Sequence, residues 1–149
     1  MAHLEFSRDF SVAPNEVFVF FVPQRMPLWY GTEMNPHFEV HGGASDFAVG
    51  QKVQITGKLG KREVSLTVVI TAYRWEKLLE WQFQDSYGVR GLQRWELESV
   101  ASGTRLQMRD SYQMPGLTGL LIDAAFTRFA VAQRDRTWLD RLQRLAERR

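Results

Sequence analysis

Between Lys52 and Met114 apolar side chains recur at every second position, run after run. From Thr118 to Arg149 they recur instead at helical spacing, with no proline and Gly119 as the only glycine. A period of two buries one face of a strand, and a period of 3.6 buries one stripe of a helix. The chain is therefore expected to be α+β, with antiparallel strands leading into one long C-terminal helix. At about 1.5 Å per residue that helix runs roughly 45 Å, enough to cross a whole sheet.

Two hairpins carry the strand reading. In "QKVQITGKLGKREVSLTVVITAY" a turn at Gly60-Lys61, of the type that needs glycine first, sets Gly57 against Val64, Ile55 against Leu66 and Val53 against Val68. The apolar residues of both strands then fall on one face. In the second hairpin, joined at "VASG", pairing Ser99 with Thr104 sets Leu97 against Leu106, Trp95 against Met108, Gln93 against Asp110 and Gly91 against Tyr112. Between the hairpins, "KLLEWQFQ" is a strand with Leu79, Trp81 and Phe83 inward.

The opening "HLEFSRDF" alternates as well, with Leu4, Phe6, Arg8 and Phe10 on one face. Pro14 then begins a short helix with Glu16 in its first turn, stopped by Pro23. "QRMPLWYG" is a second helical piece whose Trp29 and Tyr30 are expected to line an interior space. "HFEVHGG" is a short strand; because Phe38 and Val40 take its inner face, His37, Glu39 and His41 are expected to look outward and hold no metal.

With 149 residues and 44% hydrophobic content, residues 1–149 are read as one domain. Nineteen basic against seventeen acidic residues leave a net charge of +2, too small a surplus to imply a nucleic-acid partner. The absence of cysteine excludes disulfides and thiolate metal sites. The start has no apolar run of secretory length and no segment approaches a membrane span, so a cytoplasmic protein without stable membrane insertion is expected.

One strand then reads oddly. In "TRLQMRDSYQM" the apolar side holds Leu106, Met108 and Met114, but also Asp110 and Tyr112. Tyr112 has a structural reason, since an aromatic ring fills the gap beside a cross-strand glycine such as Gly91. Asp110 has none of its own, and a buried carboxylate without a partner is costly.

Strand, two short helices, six strands and a long last helix is the order of the helix-grip fold, in which a curved seven-stranded antiparallel sheet wraps around the C-terminal helix. "FSRDFSVAPNEVFVFF" resembles the opening of the SRPBCC superfamily, which includes START and polyketide-cyclase-like domains. "RWELESVASGTRLQMRDSYQMPGLTGLL" is similar to the bacterial ligand-binding members, whose last strand carries Asp-x-Tyr-x-x-Pro before the helix. The resemblance implies a hydrophobic cavity between sheet and helix rather than a fixed chemistry. It also makes the first and last strands neighbours, so that Arg8 is expected to pair with Asp110. That Arg8–Asp110 pair, with Gln93 beside it, is either structural or a ligand contact, and the two are compatible at a cavity floor.

The candidate ligand-binding residues are thus Arg8, Tyr30, Trp81, Gln93, Trp95, Asp110, Tyr112 and Phe129, the last on the helical face with Leu121, Ala125, Ala132, Trp138, Leu142 and Leu145. Asp123 is a further polar candidate, and "MPGLTG" reads as a plain turn into the helix. The leading expectation is a non-enzymatic carrier or sensor of a small hydrophobic molecule, with no cofactor and with oligomeric state open. The second is a cyclase or dehydratase in which Asp110 or Tyr30 handles a proton and Arg8 steadies an enolate. The third is a protein-interaction or quinone-chaperone module.

Overall fold

The computed structural model describes residues 1–116 and 128–148. Seven strands, β1 (Ala2–Phe10), β2 (His37–Val40), β3 (Lys52–Leu59), β4 (Arg62–Arg74), β5 (Leu78–Asp85), β6 (Arg90–Val100) and β7 (Gly103–Gln113), form one antiparallel sheet in the order β1-β7-β6-β5-β4-β3-β2. Helix α1 (Pro14–Phe18) and two 3-10 turns, Met26–Leu28 and Thr32–Met34, fill the crossover from β1 to β2. Helix α2 (Arg128–Ala146) follows β7. This is the helix-grip-like arrangement expected, with the second 3-10 turn as an addition. The beginning of the expected long helix, and Asp123 with it, lie outside the described residues.

Both hairpin registers agree with the expected pairings, from Val53↔Val68 to Ser99↔Thr104. At the first turn Gly60 has φ +65 while Lys61 keeps an ordinary φ, the glycine-first geometry that matches strand twist. A bulge between Ile70 and Ala72 interrupts the long strand β4, where the extra residue increases the local bend.

On the inner face Leu79, Trp81, Trp95, Leu106 and Met108 are sealed from solvent and share one core cluster with Trp138, Leu139 and Leu142 of α2, which with the buried Asp135 are spaced as one helical stripe. The helix also covers the exposed edge of β1. Arg128 donates to the His3 carbonyl at 2.9 Å, Gln143 donates to the Asp9 carbonyl at 3.0 Å, and Glu147 accepts from the Ser11 N–H at 2.7 Å. Edge groups satisfied this way no longer template pairing with another chain.

Tyr112, 3% exposed, stands opposite Gly91 as expected. A Cβ at Gly91 would strike the Ser111 carbonyl oxygen and lie 2.8 Å from the Tyr112 Cα, both backbone atoms that cannot swing aside. Gly91→Ala is accordingly expected to force β6 from β7 at a cost of about 2–3 kcal/mol. The check is a urea titration showing a lower midpoint at unchanged slope; an unshifted midpoint would contradict the tight crossing.

Candidate functional site

The inner face is walled by aromatics. The turn Met26–Leu28 delivers Trp29 and Tyr30, which meet Trp81 of β5 and Trp95 of β6 with ring centroids 5.2–6.1 Å apart, mostly edge to face. Such crossings suit ring quadrupoles and leave polar tips to be satisfied one by one. Trp29 Nε1 donates to the Phe20 carbonyl at 2.8 Å. The Tyr30 hydroxyl (2.7 Å) and Trp81 Nε1 (2.9 Å) both donate to Gln93 Oε1. Burial holds the Tyr30 phenol well above its ordinary value, so it acts as a neutral donor. Trp95 Nε1 is buried with no hydrogen-bond partner among the described residues.

Beside this wall lies a charged cluster. Asp110 is opposite Gln93, as expected, and both are buried. Its partner comes from α2: Arg134 Nη2 donates to Asp110 Oδ2 at 3.1 Å, while Nη2 and Nε both reach Asp135 Oδ1 at 3.3 Å. The guanidinium also stacks on the Trp138 ring, 4.4 Å from its centroid, and that ring faces Tyr30 at 4.3 Å. Trp138 Nε1 in turn donates to Glu33 Oε2 at 2.9 Å. Asp110 and Asp135 are fully buried, whereas the Arg134 side chain is 35% exposed.

Two carboxyl groups this close cannot easily both ionise in an apolar interior. Burial, reinforced by a hydrogen bond with Asp110 and by its charge, pushes Asp135 up to about 9, and Arg134 offsets only part of this. Asp110 Oδ1 and Asp135 Oδ2 have no other donor among the described residues. Burial thus favours the protonated form of Asp135, which is able to supply the donor these atoms lack. Burial works against the charge on Arg134, but Asp135 and Asp110 outweigh it and hold the guanidinium above its ordinary value.

Two expectations are corrected here. Arg8 does not pair with Asp110. In the β1–β7 register Asp110 faces Leu4 and Arg8 faces Leu106, four residues further along, about 13 Å at strand rise. Arg8 instead donates to Asp140 Oδ1 at 2.7 Å and to Gln143 Oε1 at 3.0 Å near the end of α2. Phe129 does not face inward either, being 73% exposed. It precedes Trp138 by about two and a half turns, which puts the two on opposite sides of a helix.

Tyr30, Trp81, Gln93, Trp95 and Asp110 are brought together. The groups that sequence reasoning missed are Arg134 and Asp135. Asp135 sits three, four and seven residues before Trp138, Leu139 and Leu142, squarely on the buried stripe, and that spacing was the available signal.

A separate groove of about 910 Å³ crosses the outer face of the sheet, bounded by His3, Thr67, Val69, Gln82, Leu92 and Ser111. None of the aromatic wall or the carboxyl pair lines it. His37 and His41 are exposed, as expected. No helix among the described residues is long and apolar enough to cross a membrane.

The sheet and helix define a helix-grip-like protein, and solved structures share that fold. Protein MLL2253 from Mesorhizobium loti superposes with a TM-score of 0.76 at 17% identity, covering 99% of this chain and 98% of its own. SA2116 from Staphylococcus aureus, of unknown function, gives 0.79 at 11% identity over 98% and 93%. DynU16, a putative protein in the dynemicin biosynthetic locus, gives 0.69 at 17% identity over 98% of this chain and 47% of its own. At these identities the likeness is one of fold. No family model and no curated protein matches the sequence.

Proposed function

We propose that this chain is a cytoplasmic carrier or sensor of the SRPBCC kind, binding a small apolar molecule between the sheet and α2. One observation carries the reading. An inner face made almost wholly of aromatic and aliphatic side chains converges on a few polar groups, among them the unpartnered Trp95 Nε1 and the partly exposed Arg134. An apolar wall with a small number of fixed polar contacts is the usual make-up of a ligand site. Trp81, Trp95, Tyr30 and Tyr112 would supply contact area, with Gln93, Asp110, Arg134 and Asp135 orienting the ligand. DynU16 adds that a relative in fold is encoded in a biosynthetic locus.

The test is native mass spectrometry of freshly purified protein beside titration with Nile red, an uncharged apolar dye. A copurifying small molecule, or dye bound one to one and displaced by a lipid extract, is the expected result. No uptake of any apolar probe would overturn the reading.

The hydrogen-bonded carboxyl pair favours one second reading, an enzyme in which Asp135 donates and Asp110 accepts a proton. Arg8 has no part in it, being engaged with Asp140 and Gln143. Asp110→Asn separates the two readings: a carrier loses chiefly stability, whereas an enzyme keeps binding its substrate and loses turnover.

A further inference from the structure

The two edges of the sheet end differently. Helix α2 covers β1, whereas β2 bonds only to β3, through His37↔Thr56, Phe38↔Ile55, Glu39↔Gln54 and Val40↔Val53. Just beyond β2 the His41 N–H donates to the Lys52 carbonyl at 2.9 Å, continuing the same register. Hydrogen-bonded and non-bonded pairs alternate along an antiparallel ladder, so His37 and Glu39 turn their backbone groups to β3 while Phe38 and Val40 turn theirs outward. The Pro36 carbonyl points outward too, because it lies opposite the His37 N–H across a planar trans peptide. Among the described residues nothing from another element bonds the Phe38 N–H, the Phe38 carbonyl or the Val40 N–H. These groups open on a groove of about 520 Å³, bounded by Pro23, Gln24 and the chain from Phe38 to Ala44.

The donors and acceptors of this edge are uneven. Pro36 has an acceptor but no N–H. Val40 has the opposite need: its N–H is free, while its carbonyl already accepts from the Gly43 N–H at 2.9 Å. An ordinary peptide strand offers both a donor and an acceptor at every second residue, and would leave some of its groups unmatched here. A copy of the same edge matches. About a twofold axis through Phe38, the two Phe38 residues exchange backbone hydrogen bonds, and each Val40 N–H donates to the partner's Pro36 carbonyl. The side chains agree with that register. His37 and Glu39 are exposed on the outer face, and each His37 falls opposite the partner's Glu39 in the kind of pair where side chains approach most closely. Moving the axis to Glu39 would instead set the two Glu39 carboxylates against each other.

We propose that β2 is a self-association edge, at which two copies of this chain pair β2 with β2, antiparallel about Phe38, and join their sheets into one. The contact uses the same surface on both copies and therefore closes on itself, and with α2 covering the other edge it makes a dimer and not a filament. Its small extent makes that dimer weak and reversible. The pairing leaves the space between the sheet and α2 untouched, so it stands apart from the binding reading above.

Sedimentation equilibrium from micromolar to millimolar protein is expected to show a monomer–dimer equilibrium. His37→Glu sets the introduced glutamate against the partner's Glu39, and Glu39→Lys sets the introduced lysine against the partner's His37. Both side chains are exposed, so the variants keep the fold. Each variant alone is expected to self-associate about five- to tenfold more weakly than wild type, whereas an equimolar mixture of the two pairs glutamate with lysine and restores the dimer. Hydrogen exchange gives a second readout: the Phe38 and Val40 amides slow as protein concentration rises, while the His37 and Glu39 amides, already bonded to β3, do not change. A monomer at every concentration overturns the proposal. So does a dimer that both single variants form as readily as wild type, or one in which the Phe38 and Val40 amides exchange as fast as in the monomer, since either places the contact elsewhere.

Discussion

Replacing Arg134 by Met is expected to destabilise the protein by about 3 kcal/mol near neutral pH. Methionine keeps an unbranched apolar stem but lacks the guanidinium, so what is removed is the charge, its hydrogen bonds and its stacking on the Trp138 ring. Asp110, fully buried on the sheet face, then has no cation paired with it among the described residues, and Asp135 loses both of its guanidinium bonds. The figure belongs at the low end of the range for broken buried pairs, because Arg134 is 35% exposed and water screens part of its interaction. Arg134→Lys should recover only part of the loss, since an ammonium cannot span two carboxyl groups with a planar fork. Urea unfolding measures all three proteins. Equal stability of wild type and Arg134→Met would show that the cluster does not depend on this residue.

The second large effect concerns pH. Asp135 titrates at about 9 in the folded protein against an ordinary value of 3.8, so between those limits the folded state holds a proton that the unfolded chain has released. Its contribution to stability is full below 3.8, declines as pH rises, and is gone above about 9. The slope for one such group reaches about 1.4 kcal/mol per pH unit. Asp135→Asn has no proton to lose. Its stability relative to wild type is expected to improve steadily from about pH 5 to about pH 8. A difference constant across that range would mean that Asp135 is already ionised in the folded protein.

The strands and hairpin registers were readable because alternation and turn chemistry agree locally, as at Gly60-Lys61 and in the Gln93–Asp110 pairing. The pairing of β1 with β7 was not. Alternation fixes which face a residue takes, but a shift of two or four residues leaves every face unchanged. Arg8 opposite Asp110 and Arg8 opposite Leu106 therefore fit the same pattern, and only the three-dimensional path through α1 distinguishes them.

The true partner of Asp110 lay on α2, where a run of arginines and acids resembled a solvated surface. In that run the position of Asp135 relative to Trp138 and Leu142 marked it as buried. Phe129 lies on the exposed side of α2 because a helical stripe drifts off one face over several turns. Half of the candidate site was thus legible as inward polar residues on strands. The other half depended on which helical residue reaches across.

The most direct measurement is nuclear magnetic resonance of side-chain nitrogens during titration with Nile red. Arg134 Nε and the indole N–H groups of Trp95 and Trp81 are expected to shift in step with one binding curve, while Gln82 and His3 beside the outer groove stay in place. Shifts confined to Gln82, His3 and their neighbours, with Arg134 and Trp95 unmoved, would contradict a ligand site between sheet and helix.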